Sequence, residues 1–263
     1  MRLEELEGKI FVLTLQETKN QKGEFENRFN QEIVDEINKK LDDCLARKAR
    51  VLVLTGGENK FFSNGHDIEW LGQAVNKENG LEAQEFINSF YRLLARFLVL
   101  PIPTIAAVNG HAFAGGCLLA MAQDYRVMNI NRGFICMNEI DMVPEKDSPN
   151  STAIQPGIFP GADYKMTAVL QSKISSKTTL RDMYLQGLRF DGKLAKEYGI
   201  VDIASSDHFK DAIELAKKLA MKAHDKNRRT IAVLKYESSR NYVNILVDGT
   251  AEQFVQNQVM SRF

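Results

Sequence analysis

One stretch constrains this chain more than any other: Pro103-Thr-Ile-Ala-Ala-Val-Asn-Gly-His-Ala-Phe-Ala-Gly-Gly-Cys-Leu-Leu-Ala-Met-Ala-Gln-Asp124. Its apolar run, Ile105 to Val108, reads as a fully buried strand. Asn109-Gly110 reads as a turn, and the small residues Ala112, Ala114, Gly115 and Gly116 follow. Cys117 to Ala122 then read as a buried helix with no polar face. A Gly-Gly pair at a helix start leaves backbone N–H groups bare, and the helix macrodipole adds partial positive charge there. Such a place can hold a phosphate or a developing oxyanion, and the stretch alone does not choose between them.

The flanking sequence supplies a frame for it. Lys9–Gln16 and Arg50–Gly56 are β-rich and apolar, and Tyr125–Met128 reads as a further strand. From Asn30, the residues Ile33, Ile37, Leu41 and Leu45 recur on one helical face. Glu17–Glu26 reads as a turn or loop and Gly57–Gly65 as a loop; Asp67 opens a short helix through Leu71. Leu81–Leu100 forms a long helix stopped by Pro101 and Pro103. Strands alternating with helices predict an α/β fold with a mostly parallel sheet. Val143–Gly161 carries four of the six prolines and reads as an irregular loop. Beyond it, helices are expected near 164–172, 177–187, 192–198, 207–224 and 228–247, with a strand at Ile200–Ala204 and a helical tail over Thr250–Phe263.

Composition removes several classes of function. Lys plus Arg and Asp plus Glu both total 34, so no net basic field favours nucleic acid. No run of about 18 apolar residues offers a membrane span. The N-terminus, Met-Arg-Leu-Glu-Glu-Leu-Glu, has neither signal-peptide nor transit-peptide character. Cys44, Cys117 and Cys136 show no pairing or zinc spacing, and the four histidines show no ligand pattern, so no metal is expected. GxGxxG, GxxxxGK[ST] and GxSxG are all absent.

Two further stretches can carry chemistry. In Lys60-Phe-Phe-Ser-Asn-Gly-His-Asp-Ile68, Asn64-Gly65 permits a left-handed turn and Asp67 suits an N-cap. The segment is either a plain strand-to-helix connection or a second backbone donor, the His66 N–H. Glu139 ends the apolar run Gly133-Phe-Ile-Cys-Met. It is either solvated at a strand end or held in an apolar site, where desolvation would raise its pKa toward useful base strength.

Together these motifs and their order resemble the crotonase (enoyl-CoA hydratase/isomerase) superfamily from about Leu3 to Ile245. The nearest likeness is to Δ3,Δ2-enoyl-CoA isomerases of the plant peroxisomal type, through Phe-Phe-Ser-Asn-Gly-x-Asp-Ile and Met137-Asn-Glu139-Ile-Asp141. The resemblance implies a crotonase-like ββα spiral core over 1–200. A C-terminal helical region, 201–263, would build oligomer contacts and cover the active site. It implies that the N–H groups of His66 and Gly115 receive a thioester carbonyl oxygen and that Glu139 is the base. It gives substrate and CoA contacts to Arg28, Lys60, Phe62, Ser63, Asn64, Gly65, Asp67, Ile68, Gly116 and Leu118.

Hydratases of this family carry a Glu at the position of Leu118, which cannot hold or activate water. One base with an oxyanion hole fits double-bond migration in an unsaturated fatty acyl-CoA during β-oxidation. Asp141, on the same face as Glu139 if the segment stays extended, is read as structural. CoA enters as part of the substrate, so no separate cofactor is expected. The resemblance further implies a homotrimer or hexamer. A peroxisomal or cytoplasmic location is expected, because Ser261-Arg-Phe263 is a degenerate relative of Ser-Lys-Leu. Val143–Pro160 looks like an insertion that could lid or reshape the acyl pocket. Thioester hydrolysis, decarboxylation, hydratase-like chemistry and non-catalytic acyl-CoA binding are the alternatives.

Overall fold

The computed structural model describes residues 1–16, 19, 22–75, 80–142, 164–247 and 254–255. The 143–160 insertion and nearly all of the 250–263 tail lie outside these residues; Phe254 and Val255 within the tail are helical.

Two sheets form the framework. The larger has the order β1 (Arg2–Leu6), β2 (Ile10–Thr14), β3 (Val51–Thr55), β5 (Thr104–Val108), β7 (Tyr125–Asn129), β9 (Ile203–Ser205). β1 is antiparallel to β2 and every other neighbouring pair is parallel. The smaller sheet is parallel, in the order β4 (Phe61–Ser63), β6 (His111–Phe113), β8 (Ile135–Cys136). The connectivity is a spiral. In β3–β4, β5–β6 and β7–β8 the first strand joins the large sheet and the second joins the small one.

The alternation of the buried strands fills two cores. Phe11, Leu13, Leu52, Leu54, Ala106 and Val108 face α1 (Gln31–Ala46) and α3 (Leu81–Val99). Ile10, Val12, Val51, Val53, Ile105, Ala107 and Val127 face α8 (His208–Ala220), which presents Ala212, Ala216 and Ala220. Alanines at four-residue spacing let that helix lie close to the sheet. α9 (Arg228–Leu246) packs against α3.

The helices expected between residues 30 and 247 are present, with shifted boundaries. Asn30 caps α1, its Oδ1 accepting the Ile33 N–H at 3.0 Å. Four strands differ from the sequence expectation. β1 was not anticipated because its Arg-Leu-Glu-Glu-Leu run is mostly exposed and lacks an apolar face. β4 lies inside the expected Gly57–Gly65 loop, and β6 lies in the expected small-residue turn. β8 is only two residues long. Strands of two or three residues carry no usable period.

Candidate active site

Long-range side-chain bonds stitch the loops that carry the motifs. Asn109 Oδ1 accepts the Gly56 N–H at 2.8 Å, and its Nδ2 donates to the carbonyls of Asn59 (2.8 Å) and Phe61 (3.2 Å). Asn27, at φ +52, donates to the Phe62 carbonyl at 3.0 Å. The Ser63 hydroxyl donates to the Asn27 carbonyl at 2.6 Å and accepts the Gly65 N–H at 3.2 Å. Each bond spans tens of residues or closes a turn, so the start of the first motif is rigidly placed.

The two glycine motifs meet directly. A Cβ on Gly65, whose φ is +80, would lie 3.2 Å from the Gly115 nitrogen and 3.0 Å from the Phe113 carbonyl oxygen. A Cβ on Gly116 would lie 2.3 Å from the Ser63 carbonyl oxygen. Gly116 is therefore the point where α4 (Gly115–Met121) closes on β4. Ala114, just before α4, takes φ +49 and ψ −118, a conformation that an L-residue holds only under strain. The strained turn begins α4 at Gly115. Among the described residues, neither the His66 nor the Gly115 N–H donates to a protein acceptor.

These two residues share a cleft of about 270 Å³ with Glu139 and Leu118. Arg28, Asn64 and Ile68 also line it, as does Ala114. The other predicted contacts do not line it. Phe62 is fully buried. Ser63, Gly65 and Gly116 hold the junction described above. Asp67 Oδ1 accepts the Trp70 N–H at 3.2 Å, inside α2 (Ile68–Val75). Lys60 is exposed, its ammonium 5.4 Å from the centre of the Phe61 ring. Arg28 Nε donates to Glu26 Oε2 at 2.5 Å, which partly neutralises it at the cleft.

Sequence reasoning assigned no contact to five lining residues, of which Ala114 lies within the Gly-Gly stretch itself. Ile87 and Tyr91 come from α3, four residues apart, and the sequence assigned them no role. Met166 comes from α5 (Tyr164–Gln171), and Asn138 precedes Glu139.

Glu139 is the one carboxyl group among the described residues lining this cleft. Burial pushes its pKa up from 4.5 to about 7, opposed only weakly by a backbone hydrogen bond. The chain does not stay extended here: Glu139–Met142 forms a 3-10 turn. The turn takes Asp141 toward Gly187, whose Cβ position is 3.3 Å from Asp141 Oδ2. Asp141 is thus not on a shared strand face with Glu139 and does not line the cleft.

His66 stands edge-on to two rings, with centroids 5.2 Å from Phe86 and 4.7 Å from Phe90. The ring edge carrying Nε2 is enclosed, while the residue as a whole keeps partial access to the cleft. Desolvation lowers its pKa to about 4, so the imidazole is neutral at physiological pH. Of these two groups, Glu139 is the one that titrates near neutral pH.

A cleft lined by one carboxyl with a raised pKa and by two residues whose backbone N–H groups have no acceptor among the described residues can take a proton from a carbon acid and stabilise the resulting anion. The sequence matches the family described as Enoyl-CoA hydratase/isomerase over residues 5–258. It is 34% identical to enoyl-CoA delta isomerase 3 of Arabidopsis thaliana, over 82% of this chain and 81% of that protein. It is 32% identical to the peroxisomal enoyl-CoA delta isomerase 2 of the same plant, over 83% and 84% of the two chains. A probable enoyl-CoA hydratase of Bacillus subtilis is 29% identical over 79% of this chain and 72% of its own length. Among solved structures, an enoyl-CoA isomerase of Mycobacterium tuberculosis superposes with a TM-score of 0.73 at 19% identity, covering 96% of both chains. An enoyl-CoA hydratase of Mycobacterium ulcerans gives 0.72 at 19% identity, covering 96% of this chain and 98% of that one. The spiral of paired strands, the junction of the two glycine motifs and these matches agree: the chain has the crotonase fold and belongs to the enoyl-CoA hydratase/isomerase family.

Proposed function

We propose that the protein is a Δ3,Δ2-enoyl-CoA isomerase acting on unsaturated fatty acyl-CoA, with Glu139 as the single proton carrier. The observation that carries this reading is that Leu118 lines the cleft together with Glu139, its one carboxyl group among the described residues. A hydratase of this family has a second carboxylate at the Leu118 position to handle water. Here that wall is apolar and only 1% exposed.

In the proposed reaction the thioester oxygen lies between the His66 and Gly115 N–H groups. Glu139 removes a proton from C2 of the 3-enoyl chain. The electron pair delocalises onto the thioester oxygen on one side and over the C3–C4 double bond to C4 on the other, giving a dienolate. Each backbone donor of this kind is typically worth roughly 2.7–4 kcal/mol in the transition state. The protonated Glu139 then returns the proton at C4, leaving the double bond at C2–C3. A carboxyl group near pKa 7 is suited to both halves, since it is a stronger base than a solvated Glu and still a competent acid. Ile68, Ile87 and Met166 supply apolar wall for the acyl chain. The names of the Arabidopsis isomerases support this choice within the family.

The test is an absorbance assay for the conjugated product with 3-hexenoyl-CoA, run beside a hydration assay with 2-hexenoyl-CoA. The reading expects turnover in the first and little in the second. Rapid hydration without isomerisation would replace it with a hydratase assignment.

A further inference from the structure

The segment from Glu26 to Asn30 lies outside both sheets, yet it runs along the loop that carries His66. The Asn64 N–H donates to the Glu26 carbonyl at 2.9 Å, the Phe29 N–H to the Gly65 carbonyl at 2.8 Å and the Asp67 N–H to the Phe29 carbonyl at 2.8 Å. Phe29 and His66 are thus paired as in a parallel ladder. The side chains add a second seam. Glu26 Oε2 accepts from Arg28 Nε at 2.5 Å and from Asn64 Nδ2 at 3.4 Å. Glu26 is buried and does not line the cleft, whereas both of these partners do.

The two partners serve the cleft differently. Asn64 leads into Gly65 and His66, so tying its side chain down steadies the start of that turn. Arg28 is the one Lys or Arg among the described residues lining the cleft. An acyl-CoA arrives with several phosphate charges, and a guanidinium is well shaped to meet a phosphate. It offers five N–H donors, more than one carboxylate takes up. The Arg28 side chain is 33% exposed. A long side chain at such a surface otherwise samples many rotamers and gives them up when a ligand binds. Glu26 imposes that order beforehand, since a charge-assisted bond to a buried carboxylate is short and directional. The same carboxylate offsets part of the attraction of Arg28 for phosphate. That offset acts over distance and through solvent, where it is screened, whereas the bond acts at contact.

We propose that Glu26 is a positioning residue for CoA binding: its carboxylate holds the Arg28 guanidinium on the cleft wall, beside Asn64, where it meets a phosphate group of the ligand. This rests on the acyl-CoA reading above and adds to it a residue that touches no substrate and acts through its neighbours. The backbone seam does not use the Glu26 side chain, so removing the carboxylate leaves those three hydrogen bonds available.

The experiment is a double-mutant cycle read by calorimetric titration with S-hexyl-CoA, an unreactive thioether. Wild type, Glu26→Gln, Arg28→Met and the double variant are compared. Glu26→Gln is expected to raise Kd by about fivefold in the wild-type background and by less than about twofold in the Arg28→Met background. Arg28→Met alone is expected to raise Kd by about tenfold. A loss of the same size in both backgrounds is what a merely structural role of Glu26 produces, and it overturns the proposal. So does a Glu26→Gln variant that binds as tightly as the wild type, or more tightly because the charge of Arg28 is no longer offset. An Arg28→Met variant that binds like the wild type overturns it as well. Should Glu26→Gln fail to fold, Glu26→Asp, which draws the carboxylate back by one methylene, enters the cycle with the same expected outcomes. Failure of the wild type to bind S-hexyl-CoA overturns the acyl-CoA reading itself, a separable outcome.

Discussion

Replacing Glu139 with Gln should abolish proton transfer and at the same time make the protein harder to unfold at neutral and alkaline pH. In the unfolded chain Glu139 ionises near 4.5, whereas in the folded protein burial moves this to about 7. Between those values the native state keeps a proton that the unfolded state has lost, so stability falls as pH rises. The contribution is fully present below the unfolded pKa and is gone once pH passes the folded one. The full displacement corresponds to about 3 kcal/mol. Partial solvent access at the cleft reduces that to roughly 1–3 kcal/mol. Gln is neutral in both states and carries no such cost. Urea unfolding of both proteins at pH 5 and pH 8 isolates the effect, since all other titrating groups cancel in the difference. The variant should be more stable by about 1–3 kcal/mol at pH 8, shrinking to under about 1 kcal/mol at pH 5. Equal stability at pH 8, or a less stable variant, would mean that the carboxylate is well solvated or paired, and the argument for a tuned base would fail.

Other consequences follow from the same geometry. The proposed reaction needs ionised Glu139, so kcat/KM should rise with pH and level off above about 7, with no second limb from His66, whose imidazole is already neutral above about 4; a profile flat from pH 5 to 9 would refute this. Gly116→Ala would set a Cβ 2.3 Å from the Ser63 carbonyl oxygen and 2.9 Å from its carbonyl carbon, neither of which can swing aside. The wedge should part the two glycine motifs, lowering kcat by about 100-fold and stability by about 1–3 kcal/mol. Gly72→Ala, which meets open space within α2, is the control and should leave activity intact. Ala114→Gly should raise the melting temperature, since release of the strain at φ +49, of order 1–3 kcal/mol, exceeds the added freedom of the unfolded chain; a lowered melting temperature would show that the turn is not strained.

Much of this was legible in the residues because burial and periodicity leave marks. The apolar runs of β2, β3 and β5 and the one-sided pattern of α1 each correspond to an element of the fold. The Gly-Gly start of α4 and the lone Glu139 pointed to the cleft, where both are found together. What stayed hidden has physical causes. The small sheet is made of strands two or three residues long, too short to show a period. Asn109 read as a turn residue, yet its side chain ties three backbone groups across some fifty residues. Asn138 carries no local signal at all; only the folded cleft shows that it lines the wall. Asp141 was displaced from its expected face by a 3-10 turn that nothing in Met-Asn-Glu-Ile-Asp announces.

The central claim is that one carboxyl group carries the proton from C2 to C4. The most direct measurement uses 3-hexenoyl-CoA bearing deuterium at C2, followed through a single turnover by mass spectrometry and NMR. The account predicts label at C4 of the 2-trans product with the wild-type protein, and no product with Glu139→Gln. Undiminished product formation by that variant, or a wild-type product without label at C4, would contradict it.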